Sequence, residues 1–174
     1  MRHEEINMLI KRGLDQAKIS STLEPVGLSR AGDGKRPDGL TLPTWVKGKC
    51  LIWDVTVADP LCSTYVKKAS KESCSAADDR ERKVTKYINL SDNYPFVPVG
   101  AETYGAFGPE GLKLLKKIGA KIREATGEKR ATFFFLQSIS MAIQRANASC
   151  VLGTTPTSGG LEGLFEFVFD ETGT

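Results

Sequence analysis

Apolar positions in this chain recur with helical spacing in some segments and crowd into short extended runs in others. In residues 4–18, Ile6, Leu9, Ile10, Leu14 and Ala17 fall on one helical face, with acidic residues preceding basic ones as the helix dipole favours. Gly13 weakens that helix. A second helix opens at Gly108-Pro109-Glu110, with proline in its first turn, and closes at Gly127. Its apolar stripe is Leu112, Leu115, Ile118 and Ile122. A third covers residues 132–148, where Phe133, Phe134, Leu136, Ile139, Ile143 and Ala146 are apolar and Gln137, Gln144 and Arg145 mark the polar side. Residues 65–90 are helix-compatible but polar, and for most of their charges a solvated face is expected.

Strand signals lie between these segments. Residues 22–24 could form a brief strand stopped by Pro25 and Gly27, and residues 38–42 a second. Residues 50–57, CLIWDVTV, are β-branched and aromatic enough for a buried strand. Residues 96–103 read as a further strand, in which Pro98 argues for an edge or irregular position. The pattern predicts one α/β domain over residues 1–150: a mixed central sheet of about four strands flanked by helices on both sides. Residues 151–174 read as a linker or tail in which LEGLFEFVFDETGT could supply a closing strand.

Composition narrows the picture modestly. The 174 residues are 40% hydrophobic and 26% charged, which is ordinary for a globular protein. No apolar run approaches the roughly 20 residues of a membrane span, and residues 1–13 lack a signal peptide's apolar core. The expectation is an intracellular protein with no membrane partner. Cys50, Cys62, Cys74 and Cys150 form no CxxC pair and there is one histidine, so a structural zinc site is not expected. The net charge of +3 does not by itself select nucleic acid.

Chemistry concentrates in residues 35–59. Pro37-Asp38 lies on one extended segment and Asp54 within the next, with a turn signal at Pro43 and Gly48 between them. An aspartate inside a buried strand is costly unless it is paired or binds a metal. Two carboxylates on adjacent strands suit a divalent cation, Mg²⁺ with Mn²⁺ as the alternative, together with a main-chain carbonyl at Val55. Such an ion neutralises phosphate charge and lowers the pKa of bound water, the two requirements of phosphodiester hydrolysis. A lysine near the attacking water would complete the set. Glu24 and Glu102 are candidate extra acids, each with a bland alternative as a turn or strand-end residue, and His3 reads as a helix-terminus residue.

Pro37-Asp38 followed by a strand bearing Asp54 resembles the PD-(D/E)XK, or restriction-endonuclease-like, nucleases. That family places a lysine two residues after the second acid, where this chain has Thr56. The segments LEPVGLSRAGDGKRPDGLTL, LIWDVTVADPL, KVTKYINL, FVPVGAETYGAFGPEG and LQSISMAIQRANASCVLGT resemble, in order and over nearly the whole chain, a more specific group. That group is the C-terminal endonuclease region of reverse-transcriptase polyproteins from eukaryotic non-LTR retrotransposons. The resemblance implies a restriction-endonuclease-like fold and a metal-dependent DNA endonuclease that nicks a target site. It also implies a lysine moved to the following helix near a tyrosine, matched here by Lys83, or by Lys86 with Tyr87. DNA is the implied partner, with a reverse transcriptase or RNA–protein complex as a further candidate, and the nucleus an implied location.

Lys35 and Arg36 beside Asp38, with Lys47 and Lys49, are candidates for phosphate contacts, which position a nucleic acid without reading its sequence. So is the stripe of Lys113, Lys117 and Lys121, for which plain solubility is the alternative. Two rival functions stay open. One is an inactive nuclease-fold domain serving DNA binding or assembly, which Thr56 favours. The other is a nuclease acting on RNA or branched DNA.

Overall fold

The computed structural model describes residues 2–28, 36–86 and 94–154, apart from the side chains of residues 83–86. Helix α1 (Arg2–Gln16) buries Ile6, Asn7, Ile10, Gly13 and Leu14, the face that the apolar spacing predicts. Gly13 is where α5 (Ala131–Leu152) comes closest, because a Cβ there would meet the Phe135 ring. The helix-weakening residue therefore allows close packing. Strands β1 (Ser21–Leu23), β2 (Gly39–Thr41), β3 (Ile52–Ala58) and β4 (Phe96–Glu102) form one open sheet in the order β1-β2-β3-β4. The first two pairings are antiparallel and β3–β4 is parallel, so the sheet is mixed. Pro98 lies in β4, an edge strand, as its missing N–H requires.

Strand β3 is covered on both faces, and alternation of its side chains sorts its chemistry. Trp53, Val55 and Val57 join Val97, Val99 and Ala101 of β4 in the main core, against α1, α4 (Pro109–Thr126) and α5. Ile52, Asp54, Thr56 and Ala58 take the other face. There Ala58 packs with Tyr65 and Ala76, the latter on α3 (Ser75–Lys86). The protein is thus α/β, with a mixed four-stranded sheet flanked by helices. Among the described residues no helix is long and apolar enough to cross a membrane.

Two helices differ from the sequence expectation. Residues 65–90 divide into a short α2 (Val66–Ala69) and α3, separated by a turn in which Cys74 takes a positive φ of 58°. In α5, Phe133 and Phe134 are 55% and 45% exposed and Phe135 is the buried one. Three consecutive phenylalanines step about 100° each, and only Phe135 is in phase with Ile139, Ala142 and Ala146. That helix also runs to Leu152, and residues 155–174, where the tail or closing strand is expected, lie outside the described residues.

Glu81 joins the layers at the β4 edge. From α3 its Oε1 accepts from Gly100 N in β4 (2.9 Å) and Gly111 N in α4 (2.8 Å), and Oε2 accepts from Glu110 N (2.9 Å). These N–H groups include α4's first-turn donors, which Gly108 at the N-cap has no side chain to satisfy. Burial raises the Glu81 pKa above the ordinary value of 4.5, against the lowering effect of the three N–H donors. The folded state therefore binds this proton at higher pH than the unfolded chain. The resulting stabilisation is full below the unfolded value and is lost as pH rises through the folded one. Glu81→Gln keeps one acceptor oxygen and sets an NH₂ against a backbone N–H, at a cost of about 1–3 kcal/mol in urea denaturation. Its deficit relative to wild type should widen as pH falls from neutral toward 4.5. A deficit that shrinks on acidification would contradict this account.

Candidate metal and nuclease site

The site forms where β2 begins. Gly39 pairs with Trp53 and Leu40 with Ile52, so one further step of the same register sets Asp38 across from Asp54. Gly39 is required here because a Cβ would collide with the Trp53 ring. Pro37 is buried and has no N–H to give. A continued ladder would pair Val55 with Pro37. Instead, Val55 N donates to Asp38 Oδ2 at 2.6 Å, and the carboxylate takes the place of a strand carbonyl. Glu24 N donates to the Asp38 carbonyl at 2.9 Å and holds its backbone from the β1 side.

A third group enters from α1. His3 Nε2 lies 2.8 Å from the same Asp38 Oδ2. Next along α1, Asn7 Oδ1 accepts from Trp53 Nε1 at 3.0 Å, and Asn7 Nδ2 is 3.5 Å from His3 Nε2. A chain of polar contacts therefore runs from the core tryptophan to the rim carboxylate. Asp38 Oδ1 takes no hydrogen bond from any described residue. Asp54 is half-buried in β3, on the side-chain face that it shares with Thr56.

The donor set suits a small hard cation. The register, carried one step past Gly39–Trp53, gives Asp38 and Asp54 facing backbone positions, and strand geometry turns the Val55 carbonyl to the same side as its N–H, toward Asp38. Mg²⁺ needs only one or two carboxylates with waters completing its shell. Among the described residues no cluster of three or more His, Cys, Asp or Glu side chains surrounds one point. Neither candidate extra acid joins Asp38. Glu24 is exposed with a positive φ of 46°. Glu102 is buried, and its Oε1 accepts from Ala76 N (3.0 Å) and Ala77 N (3.3 Å) at the start of α3.

Those contacts also fix the course of α3. It starts beside Glu102, lays the Ala77 carbonyl against Gly100 and, one turn on, brings Glu81 to Gly100 and the start of α4. Lys83 and Lys86 lie in the last turn of α3, and their side chains lie outside the described residues. Thr56, at the family's usual lysine position, shares Asp54's face, the face of β3 on which α3 packs. Tyr87 and Lys35 lie outside the described residues.

The basic residues are dispersed. Arg36 is exposed beside Asp38. Lys47 and Gly48 form a tight turn with positive φ of 50° and 75° at the far end of the β2–β3 hairpin, so Lys47 and Lys49 do not surround the acids. In α4, Lys113 pairs with Glu110 at 2.6 Å, Lys117 is exposed, and Lys121 Nζ lies over the Trp45 ring at 5.2 Å.

Sequence reasoning missed the contacts of Glu81 and the contact of His3 with Asp38. For Glu81 a signal existed: Ala77 and Glu81 are four apart on the small-residue face of an otherwise charged helix. For His3 there was none, because its partner Asp38 is 35 residues away. No protein-family model matches the chain, and no curated protein matches it.

Gly39→Ala should destabilise the fold by about 1–3 kcal/mol in urea denaturation by forcing Trp53 from beneath Asp38. Wild-type stability in that variant would contradict this packing.

Proposed function

We propose that this chain is a metal-dependent DNA endonuclease domain of the restriction-endonuclease-like kind, nicking a target site for a retroelement. The carrying observation is the β2–β3 register, which continued one step sets Asp38 opposite Asp54, together with the Val55 N–H bond to Asp38 Oδ2. Mg²⁺ or Mn²⁺ bound there would supply charge neutralisation and a water of lowered pKa. Asp38, Asp54 and the Val55 carbonyl hold the ion. Lys83 or Lys86 stabilises the attacking water or the developing charge, and Tyr87 orients the lysine. Lys35 and Arg36 contact the phosphates nearest the acids, and Lys113, Lys117 and Lys121 extend that contact along α4. A reverse transcriptase or RNA–protein complex is the proposed working partner, with the nucleus as the site of action.

The packing of α3 on the sheet face that carries Asp54 and Thr56 supports the relocated lysine. Nicking of supercoiled plasmid with Mg²⁺ tests the reading. Asp54→Asn should lower the rate by about 100-fold or more, the scale of losing a main electrostatic element of a transition-state site. Equal cutting by the variant and the wild type would refute it. Thr56 favours a second reading, a nuclease fold that binds DNA without cutting, for which neither protein nicks under any metal. Contact along α4 predicts that Lys117→Ala lowers the slope of log affinity against log salt by about 1. An unchanged slope would remove α4 from the interface.

A further inference from the structure

We infer that His3 is a positioning residue for the metal site, holding the Asp38 carboxylate so that its second oxygen faces the ion. This rests on the reading of Asp38 and Asp54 as the metal pair. Asp38 Oδ2 already accepts from Val55 N, so the His3 Nε2 that lies 2.8 Å from it must bring a hydrogen. With that hydrogen on Nε2, the 3.5 Å approach of the Asn7 NH₂ is a contact between two donors and not a hydrogen bond. Trp53 Nε1 donates to Asn7 Oδ1, which turns the Asn7 NH₂ toward His3. Asn7 therefore offers His3 Nε2 no acceptor, and Asp38 is the one acceptor this nitrogen faces among the described residues.

Two donors on one carboxylate oxygen, one from β3 and one from α1, fix both the rotation and the tilt of the group. A carboxylate held only by Val55 could still swing out of the plane of the sheet. With His3 in place Oδ1 is left to the ion, in the same way that hydrogen-bonded partners orient the ligands of metal sites generally. The His3 side chain is 46% exposed and that of Asp38 only 15%, so removing the imidazole opens no cavity in the core. The link also couples the start of α1 to the site, through a helix whose buried apolar residues are committed to packing.

Mn²⁺ titration calorimetry on the full chain tests this, with His3→Ala, His3→Gln and Asp54→Asn beside the wild type. Loss of an orienting partner costs metal sites about 10–100-fold in affinity, and that weakening is expected for His3→Ala. In His3→Gln, whose amide N–H can take the place of Nε2–H, most of the affinity should return. Thermal midpoints in EDTA should be alike for the two His3 variants, which separates positioning from folding. Wild-type Mn²⁺ affinity in His3→Ala overturns the inference, as does a glutamine variant no better than alanine. Either result leaves the metal pair standing if Asp54→Asn still abolishes binding. Mn²⁺ affinity untouched by Asp54→Asn overturns the pair itself, and this inference with it.

Discussion

Coverage of β3 on both faces is the constraint on which the rest of this structure depends. A strand buried on two sides needs apolar residues at nearly every position, and Leu51, Ile52, Trp53, Val55 and Ala58 meet that need. Strict alternation then leaves no freedom about where the exceptions go. Asp54 and Thr56 must share the α3 face, while Trp53 and Val55 must share the α1 face. A shift of one residue in the β2–β3 register would place Trp53 among the polar groups and Asp54 in the main core. The collision awaiting any Cβ at Gly39 helps to hold the register.

The same sheet holds two kinds of carboxylate, distinguished by what satisfies them. Glu81 and Glu102 are buried, and both accept backbone N–H groups from the starts of helices, α4 and α3 respectively. These groups fasten helices to the β4 edge. Asp38 is different, because both of its partners lie on one oxygen. An acid with one oxygen fixed and the other taking no hydrogen bond from a described residue is suited to holding a ligand, whereas an acid saturated by backbone donors is suited to holding a fold.

Much of this was legible in the sequence, for reasons that differ by residue. The α/β class and the mixed sheet followed from periodicity, and Pro98 marked the edge strand because a missing N–H has few acceptable places. The antiparallel β2–β3 pairing, with Asp38 just before β2 and Asp54 within β3, followed from two strands joined by a turn. Selection among adjacent alternatives was less legible. Phe135, not Phe133 or Phe134, enters the core, since a run of three gives no phase by itself. The division between α2 and α3 at Cys74 carried no glycine or proline signal. His3 and Glu81 act through partners 35 and 19 or more residues away, and spacing along the chain is silent about such pairs.

The central claim is that Asp38 and Asp54 hold one divalent ion between the ends of two strands. Anomalous diffraction from crystals grown with Mn²⁺ measures this directly. The account predicts a single peak at coordination distance, about 2.1 Å, from Asp38 Oδ1 and an Asp54 carboxylate oxygen. A peak elsewhere on the molecule, or none at saturating Mn²⁺, would contradict it.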